Sequence, residues 1–226
     1  MYYLFSLPVV DILSMGISKI FYPCEHVHHN RRWFLIHTYI NGMVTYYNFS
    51  DTVSCLIDPA RYCDLTMSSG SFMATNLMIA GHIYHMIVFY PYLKKEEWFH
   101  HLVMMGFNGL SIYIMRSKLQ AASAFFLCGL PGLIDYFLLW CVKMNFINPI
   151  LEKNIYLFIA SYLRSPGSIV VSYVSVPVIC KHAYKPMFWY CGLLSALNFW
   201  NGQYYLTKSC MDYEKWKTRK SNDLTK

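Results

Sequence analysis

Long apolar runs separated by short polar stretches dominate the pattern of this chain. Most of the runs approach about 20 residues, the length at which a helix crosses a bilayer core about 30 Å thick. Seven runs are predicted to be membrane-spanning helices, and they cover residues 2–22, 33–47, 71–93, 98–115, 120–142, 155–180 and 187–207. Pro8, Asp11 and Lys19 interrupt the first run, so a helix lying on the membrane surface is the alternative there. The pattern therefore predicts an all-α, polytopic membrane bundle of six or seven transmembrane helices.

The polar stretches between the runs are predicted to be loops. Residues 25–32 form a short loop, residues 48–69 form the longest one, and residues 94–97 form a tight charged turn. No Gly/Ser-rich linker and no internal repeat divides the chain. We therefore expect an amino-terminal helix and loop in residues 1–32, a transmembrane domain in residues 33–207 and a basic tail in residues 208–226.

Composition favours a membrane protein over a soluble domain. Of the 226 residues, 56% are hydrophobic and 14% are charged, whereas a soluble domain carries about 25% charged residues. The net charge of +7 does not indicate a nucleic-acid partner, because the basic residues lie at the ends of the apolar runs. In that position they would orient helices in a bilayer. Membrane lipids are therefore the expected partners.

The basic residues also predict how the bundle is oriented. With seven spans and the amino terminus in the lumen, the cytosolic side would hold Lys19, Arg31, Arg32, Lys94, Lys95, Lys143, Lys153, Lys208 and five residues of the tail. The lumenal side would hold fewer, namely Arg61, Arg116, Lys118, Lys181 and Lys185. Because cytosolic loops of membrane proteins are enriched in lysine and arginine, we expect a lumenal amino terminus and a cytosolic carboxyl terminus.

Polar side chains inside the apolar runs are the candidate functional residues. At about 1.5 Å of rise per residue, five of them are predicted to lie in the cytosolic half of the bundle, namely His85, Asp135, Arg164, Asn198 and Asn201. His100 and His101 are predicted to lie nearer to the cytosolic surface. Such side chains are costly in lipid unless they pair or face water, so they usually point into a bundle. We therefore expect a polar cavity that opens toward the cytosol.

Two of these residues lie beside predicted helix breaks. Pro131 precedes Asp135 and Pro166 follows Arg164, and a proline inside a helix removes a hydrogen bond and bends the helix. Asp135 and Arg164 also match in depth and carry opposite charges, which predicts an intramembrane ion pair. That pair could hold two helices together or face a substrate.

Paired histidines, His100 and His101, end a Trp-x-His-His sequence at the start of the fourth predicted span. The preceding span is rich in histidine, and segment 129–136 (GLPGLIDY) places Asp135 beside a Leu-Pro-Gly break. Over roughly residues 33–205, this arrangement resembles the TLC-domain family, which includes the ceramide synthases.

The resemblance implies a function in lipid metabolism. In the ceramide synthases, the paired histidines are required for transferring a fatty acyl group from acyl-CoA to a sphingoid amine. By resemblance, His100, His101 and Asp135 would be catalytic, with acyl-CoA as co-substrate. The other polar residues of the same layer are expected to bind the substrate, and these are His85, Arg164, Asn198 and Asn201. The endoplasmic reticulum or a related endomembrane is the expected location.

The chain departs from the ceramide synthases at one motif. Those enzymes carry a His-Asp-x-x-Asp element after the paired histidines, whereas segment 129–136 offers one aspartate and no histidine. The chain therefore resembles the divergent TLC proteins, many of which are linked to membrane lipid composition or trafficking. A non-catalytic protein that binds or moves lipids is the alternative to an acyltransferase, and a homodimer is compatible with both.

Histidine chemistry suits acyl transfer better than metal binding in this sequence. An imidazole with a pKa near neutrality can take a proton from an attacking amine or hydroxyl, and a second one can stabilise an oxyanion. Membrane di-iron enzymes use a larger set of ligands that includes His-x-x-His-His. That sequence does not occur here, and His37 and His182 stand isolated. We therefore expect no metal site and no bound cofactor.

Overall fold

The chain is helical in every regular element that the structure describes. In a computed structural model of the chain, the described residues are 5–24, 29–103, 106, 109–182 and 186–224. The helices are α1 (Ser6–Phe21), α2 (His29–Ile57), α3 (Pro59–Tyr62), α4 (Ser69–Val88), α5 (Lys95–Val103), α6 (Leu110–Ile114), α7 (Lys118–Ala124), α8 (Leu130–Lys143), α9 (Pro149–Ile159), α10 (Ser165–Val174), α11 (Val176–Lys181) and α12 (Pro186–Leu224). No strand occurs among these residues, and one isolated bridge joins Thr66 to Ser117. The prediction of an all-α fold is therefore confirmed.

Connecting segments gather at the two ends of the bundle. The first end, which we call the histidine end, contains the connections after α1, α4 and α8. There the hydroxyl of Tyr22 donates a hydrogen bond to the carbonyl of Met144 (2.6 Å). The ring of His29 stacks on that of Tyr92, with centroids 4.1 Å apart. These contacts bring the three connections together.

The opposite end, which we call the Asp64 end, contains the connections after α3, α6 and α11. The amide of Lys118 donates to the carbonyl of Leu65 (2.8 Å), and the ammonium of Lys181 pairs with the carboxylate of Asp64 (2.7 Å). Burial alone would raise the pKa of Asp64, but hydrogen bonds from Lys181 and His182 outweigh it and lower the pKa. Successive helical segments therefore run from one end to the other, and the chain passes up and down through the bundle.

Helix α2 is the centre of the larger core and packs against α1, α4, α7 and α8. Its apolar stripe contributes Trp33, Ile36, Ile40 and Val44 to that core, at the spacing that keeps side chains on one helix face. Gly81 of α4 lies against Ile40, where a Cβ atom would overlap the isoleucine side chain. Small residues allow such close approach, which stabilises helix pairs through van der Waals packing.

Helix α12 organises the second core together with α10 and α11. Its Cys191 and Leu194 are buried in a cluster that includes Val171 of α10. Close packing again depends on a glycine, because Gly167 lies directly against the ring of Phe126. The two cores share the long apolar segment formed by α7 and α8, which contacts both α2 and α10.

Among the described residues, π-helical turns interrupt both of the long apolar helical stretches. They span Phe125–Gly129 and Ala160–Arg164. Each comes directly before a helix with a proline in its first turn, Pro131 in α8 and Pro166 in α10. Because proline has no amide hydrogen, the hydrogen-bond pattern of the helix changes beside it. The helix irregularities expected at both prolines therefore occur as π turns, and the helical stretches continue through them.

Two continuous helical stretches among the described residues are long and apolar enough to cross a membrane. One covers Lys118–Lys143, with 26 residues, and the other covers Pro149–Lys181, with 33 residues. They correspond to the fifth and sixth predicted spans. The count of six or seven spans and the orientation of the termini stay predictions.

The prediction of a long loop at residues 48–69 is wrong, because α2 continues through its first part and α3 follows. Asp51, expected in this loop, is 2% exposed. Its carboxylate accepts hydrogen bonds from the amide of Ser68 (2.7 Å) and the hydroxyl of Ser71 (2.7 Å), and it pairs with Lys118 (3.2 Å). The polar residue therefore faces the bundle, where tertiary partners satisfy it.

Other predicted boundaries also shift. The sixth helix begins at Pro149 rather than at residue 155, because the side chain of Asn148 accepts a hydrogen bond from the amide of Ile150 (2.9 Å) and caps α9. Helix α12 continues without a break into the predicted tail and ends at Leu224. Of the predicted loop at 25–32, the first four residues lie outside the described part of the chain, and the rest belongs to α2.

Candidate functional site

Five imidazoles from three helices come together near the histidine end. His82 and His85 stand one turn apart on α4, and the turn after α4 brings α5 back so that His100 and His101 approach them. The ring centroids are 5.7 Å apart for His82 and His100, 5.1 Å for His82 and His101, and 4.8 Å for His85 and His101. His37 of α2 lies 6.2 Å from His85. We call these five residues the histidine cluster.

Aromatic rings hold one side of the cluster. Trp33 stacks on His85 with centroids 3.3 Å apart and meets the edge of His37 at 3.7 Å. His37 in turn stacks on Tyr136, 4.1 Å away. Such ring contacts fix the orientation of the imidazoles. The sequence interpretation missed Trp33, His37 and Tyr136, although His37 stands one turn after Trp33 on the same face of α2, a spacing that could have drawn attention to it.

The cluster is buried and incompletely hydrogen-bonded. His82, His85 and His101 are 8%, 7% and 3% exposed, whereas His100 is exposed. Nδ1 of His82 lies 2.8 Å from the carbonyl of Met78. By contrast, neither ring nitrogen of His101 nor Nδ1 of His85 has a partner in the described structure. A buried polar atom without a partner costs about 1–3 kcal/mol, so these nitrogens are poised for a ligand.

The cluster opens into a cavity of about 730 Å³, a volume typical of small-molecule sites. The predicted site residues that line it are His85, His100, His101, Asn198 and Asn201. Its other lining residues include the basic Lys94, Lys95 and Lys208 and the apolar Leu127, Leu194, Leu197 and Trp200. The cavity therefore combines imidazole, ammonium and amide groups with an extended apolar surface.

Asp135 and Arg164 do not line this cavity, and the predicted ion pair does not form as a direct contact, although the two charges interact at longer range. Arg164 instead stacks on the ring of Tyr205 at 3.8 Å and donates a hydrogen bond to the hydroxyl of Tyr156 (3.3 Å). A π turn ends at Arg164, and such a turn changes the helix face that a residue presents compared with a regular α-helix. Tyr205 does line the cavity, so Arg164 lies behind its wall.

The two predicted asparagines differ in their bonding. The side-chain oxygen of Asn198 accepts from the hydroxyl of Ser123 (2.7 Å), and its amide donates to the carbonyl of Leu194 (2.9 Å). Asn198 thus fastens α12 to α7. The side-chain oxygen of Asn201 is buried without a partner in the described structure. Asn201 is therefore the better placed of the two to bind a ligand.

A short ion pair fastens α1 to α2. Arg32 donates two hydrogen bonds to the carboxylate of Asp11, at 2.7 Å and 2.6 Å, and the hydroxyl of Tyr84 donates a third at 2.7 Å. The bond to Asp11 is the main reason why the pKa of Arg32 lies above its ordinary value. These contacts join α1, α2 and α4, and they explain why a charged residue interrupts the first apolar run.

The chemistry of this arrangement follows from exposure and charge. The exposed ring of His100 can exchange a proton with a bound molecule, while the buried ring of His101 offers a lone pair that no group among the described residues occupies. Lys94 and Lys95 can bind an anionic group at the same cavity.

Comparison with known proteins identifies no relative of this chain. It matches no protein-family model, no curated protein and no solved structure.

Proposed function

We propose that this chain is a multi-pass membrane protein that binds a membrane lipid in the histidine-lined cavity and transfers a fatty acyl group to it from acyl-CoA. The observation that carries this proposal is the lining of the cavity of about 730 Å³. Imidazoles and lysines form much of its polar part, and leucines, valine and aromatic rings form its apolar part. An acyl lipid has the same division between headgroup and chain.

The residues that line the cavity suggest where each part of the lipid and of acyl-CoA would bind. The acyl chain would lie against Leu194 and Leu197 of α12, and the acceptor headgroup would meet His100 and Asn201. The ammonium groups of Lys94 and Lys95, beside the turn after α4, match the phosphates of acyl-CoA in charge. These residues all line the cavity.

The transfer step follows ordinary acyl chemistry. The amine or hydroxyl of the acceptor attacks the thioester carbonyl of acyl-CoA, and His100 takes the proton that this nucleophile loses. A neighbouring imidazole such as His85 donates to the oxyanion that forms at the carbonyl. The carbon–sulfur bond then breaks, and the CoA thiolate leaves with the proton returned by His100. The products are an acylated lipid and free CoA.

The membrane topology belongs to the same proposal. Two helical stretches of spanning length and apolarity and the alternation of connections between two ends support a polytopic bundle. The excess of basic residues at the histidine end supports a cytosolic position for that end, with the amino terminus in the lumen. We propose a divergent TLC-type protein of the endoplasmic reticulum or a related endomembrane.

Acyl transfer is tested on the purified full chain in detergent, with a long-chain acyl-CoA and a sphingoid base. Mass spectrometry measures the acylated product. We expect His100→Asn to lower the rate by about 100-fold or more, the usual contribution of a general base. His182→Asn is the matched control, because His182 lies at the Asp64 end, bonded to Asp64. Equal rates for His100→Asn and the wild type would refute the catalytic role.

A non-catalytic lipid-binding protein is the second candidate, and one observation favours it. In the described structure, Nδ1 of His85 and both ring nitrogens of His101 have no hydrogen-bond partner and hence no carboxylate bonded to them, whereas catalytic histidines are commonly oriented by an acid. This candidate predicts that a lipid copurifies with the wild-type chain and that acyl-CoA yields no product. The same mass spectrometry experiment therefore separates the two candidates.

A further inference from the structure

Three imidazoles of the histidine cluster meet the basic geometric requirement for a metal site. His82 of α4 and His100 and His101 of α5 each offer a ring nitrogen, and these nitrogens all lie within 4.8 Å of one another. Nitrogens bound to one tetrahedral ion at about 2.0–2.1 Å lie roughly 3.3–3.4 Å apart. The rings therefore need to close by about 1.5 Å at most, a movement that side-chain rotation can supply.

The hydrogen bonds of the three rings fit metal ligands. Nδ1 of His82 lies 2.8 Å from the carbonyl of Met78, so this nitrogen holds the proton and Nε2 keeps its lone pair. Metal-binding histidines commonly have such a second contact to a backbone carbonyl. His101 is 3% exposed and neither of its nitrogens has a partner in the described structure. An ion between the rings would satisfy a buried group that the protein leaves unpaired.

We propose that His82, His100 and His101 together bind one divalent transition-metal ion, with zinc as the best match. Neutral imidazoles favour zinc and its neighbours over magnesium or calcium, which prefer oxygen ligands. Three histidines with one remaining position form the ligand set of a catalytic zinc site rather than a closed structural one. His100 and His101 line the cavity, so the remaining position would be accessible to a molecule bound there.

The charge of the surroundings leaves room for such an ion. Lys94 and Lys95 line the same cavity and disfavour a second cation, but Glu97 also lines it. The carboxylate of Glu97 accepts a hydrogen bond from the amide of Lys94 (2.7 Å), and it supplies one negative charge. A phosphate or an ionised water at the open position would supply more.

This inference rests on the proposed function and deepens it, and it changes the roles of His100 and His85. An imidazole that binds an ion through its lone pair cannot accept a proton there. In the ion-loaded protein, His85 would be the proton acceptor, because it lines the cavity and is not one of the three ligands. The ion would polarise the thioester carbonyl as a Lewis acid, in place of the imidazole donor.

Zinc itself is the probe for this site. The tag-free full chain is purified in detergent, stripped with a chelator and titrated with Zn²⁺ against a chromophoric competitor. Elemental analysis then gives the stoichiometry. We expect one ion per chain, and binding weaker by about 100-fold or more in His82→Asn, since even loss of a partner outside the ligand shell costs 10–100-fold. Asparagine can still bond to the carbonyl of Met78, which protects the fold of α4.

Two controls keep the outcomes apart. His182→Asn removes a histidine at the Asp64 end and should bind zinc as the wild type does. Circular dichroism of His82→Asn should match that of the wild type. Equal zinc affinity in His82→Asn and the wild type, or no stoichiometric binding at all, would overturn the metal site.

Binding of a long-chain acyl-CoA is measured on the same samples. A wild type that binds acyl-CoA but no zinc refutes the metal site alone, and one that binds zinc but no acyl-CoA refutes the lipid function alone.

Discussion

Replacement of Asp51 by alanine tests how the Asp64 end is held together. The buried carboxylate accepts hydrogen bonds from the amide of Ser68 and the hydroxyl of Ser71, both at 2.7 Å. It also pairs with the ammonium of Lys118 at 3.2 Å. These contacts join α2 to α4 and α7, so their loss should loosen three helices at once.

The expected magnitude follows from the number and the burial of these contacts. Hydrogen bonds to charged groups contribute about 1.5–3 kcal/mol each, and removing one member of a buried ion pair costs about 3–5 kcal/mol. The side chain of Lys118 is 20% exposed, so its ammonium can still reach water, which reduces the cost. We expect Asp51→Ala to lower the free energy of unfolding by about 3 kcal/mol. Asp51→Asn should cost less, because its amide oxygen can still accept from Ser68.

The same contacts predict a dependence on pH. Burial alone would raise the pKa of Asp51, but hydrogen bonds from Ser68, Ser71 and Lys118 outweigh it and lower the pKa. A carboxylate with a lowered folded-state pKa stabilises the fold above its unfolded pKa of about 3.9, and this stabilisation is lost as the pH falls through the folded value. The difference between the wild type and Asp51→Asn should therefore be largest near neutral pH and shrink below about pH 4.

Denaturant titration of the purified full chain in detergent, followed by circular dichroism, measures both effects. Asp212→Asn is the matched control, because it removes a carboxylate from the tail part of α12, and it should change stability by less than about 0.5 kcal/mol. A loss below about 1 kcal/mol for Asp51→Ala would refute the reasoning. A difference that grows toward acid pH would do the same.

Two further substitutions test the packing and the surface charges. Gly167→Ala would drive a methyl group into the ring of Phe126, and we expect denaturant titration to show a loss of about 1–3 kcal/mol. Gly192→Ala, with open space around it, should be neutral or stabilising, and equal behaviour of the two variants would contradict the described packing. Asp64→Asn removes the exposed pair with Lys181, so it should cost no more than about 1 kcal/mol and the loss should vanish near 1 M salt. A loss that persists in high salt would show that the pair does not act through charge.

The apolar pattern predicted the helices better than it predicted their ends. The fifth predicted span, 120–142, nearly coincides with the continuous stretch Lys118–Lys143. A long apolar run between basic residues strongly favours a single helix, so its bounds were easy to predict. The second span was expected to end at residue 47, yet α2 continues to Ile57. Hydropathy cannot distinguish a polar residue in a loop from one such as Asp51 that is buried against tertiary partners.

The sequence predicted how deep the polar residues of the candidate site lie along their helices. It did not predict toward which side of the helix each of them points. The short turn predicted at residues 94–97 joins two adjacent spans, so the approach of His101 to His85 could be anticipated. Asp135 and Arg164 were placed at one depth on the assumption of regular helices. One π turn precedes Asp135, and a second one contains Arg164. Each turn shifts the helix face on which the following side chains stand. Sequence spacing alone does not reveal such a turn.

Occupancy of the cavity by an acyl chain is the central claim, and photolabelling tests it most directly. A long-chain acyl-CoA that carries a diazirine in its chain is irradiated with the purified full chain, and mass spectrometry maps the labelled peptides. We predict labelling of the α12 peptide that contains Leu197 and Asn201, with loss of the label when unlabelled acyl-CoA is added. Labelling confined to exposed positions such as Tyr173 or Phe158, unchanged by the competitor, would contradict the proposed lipid site.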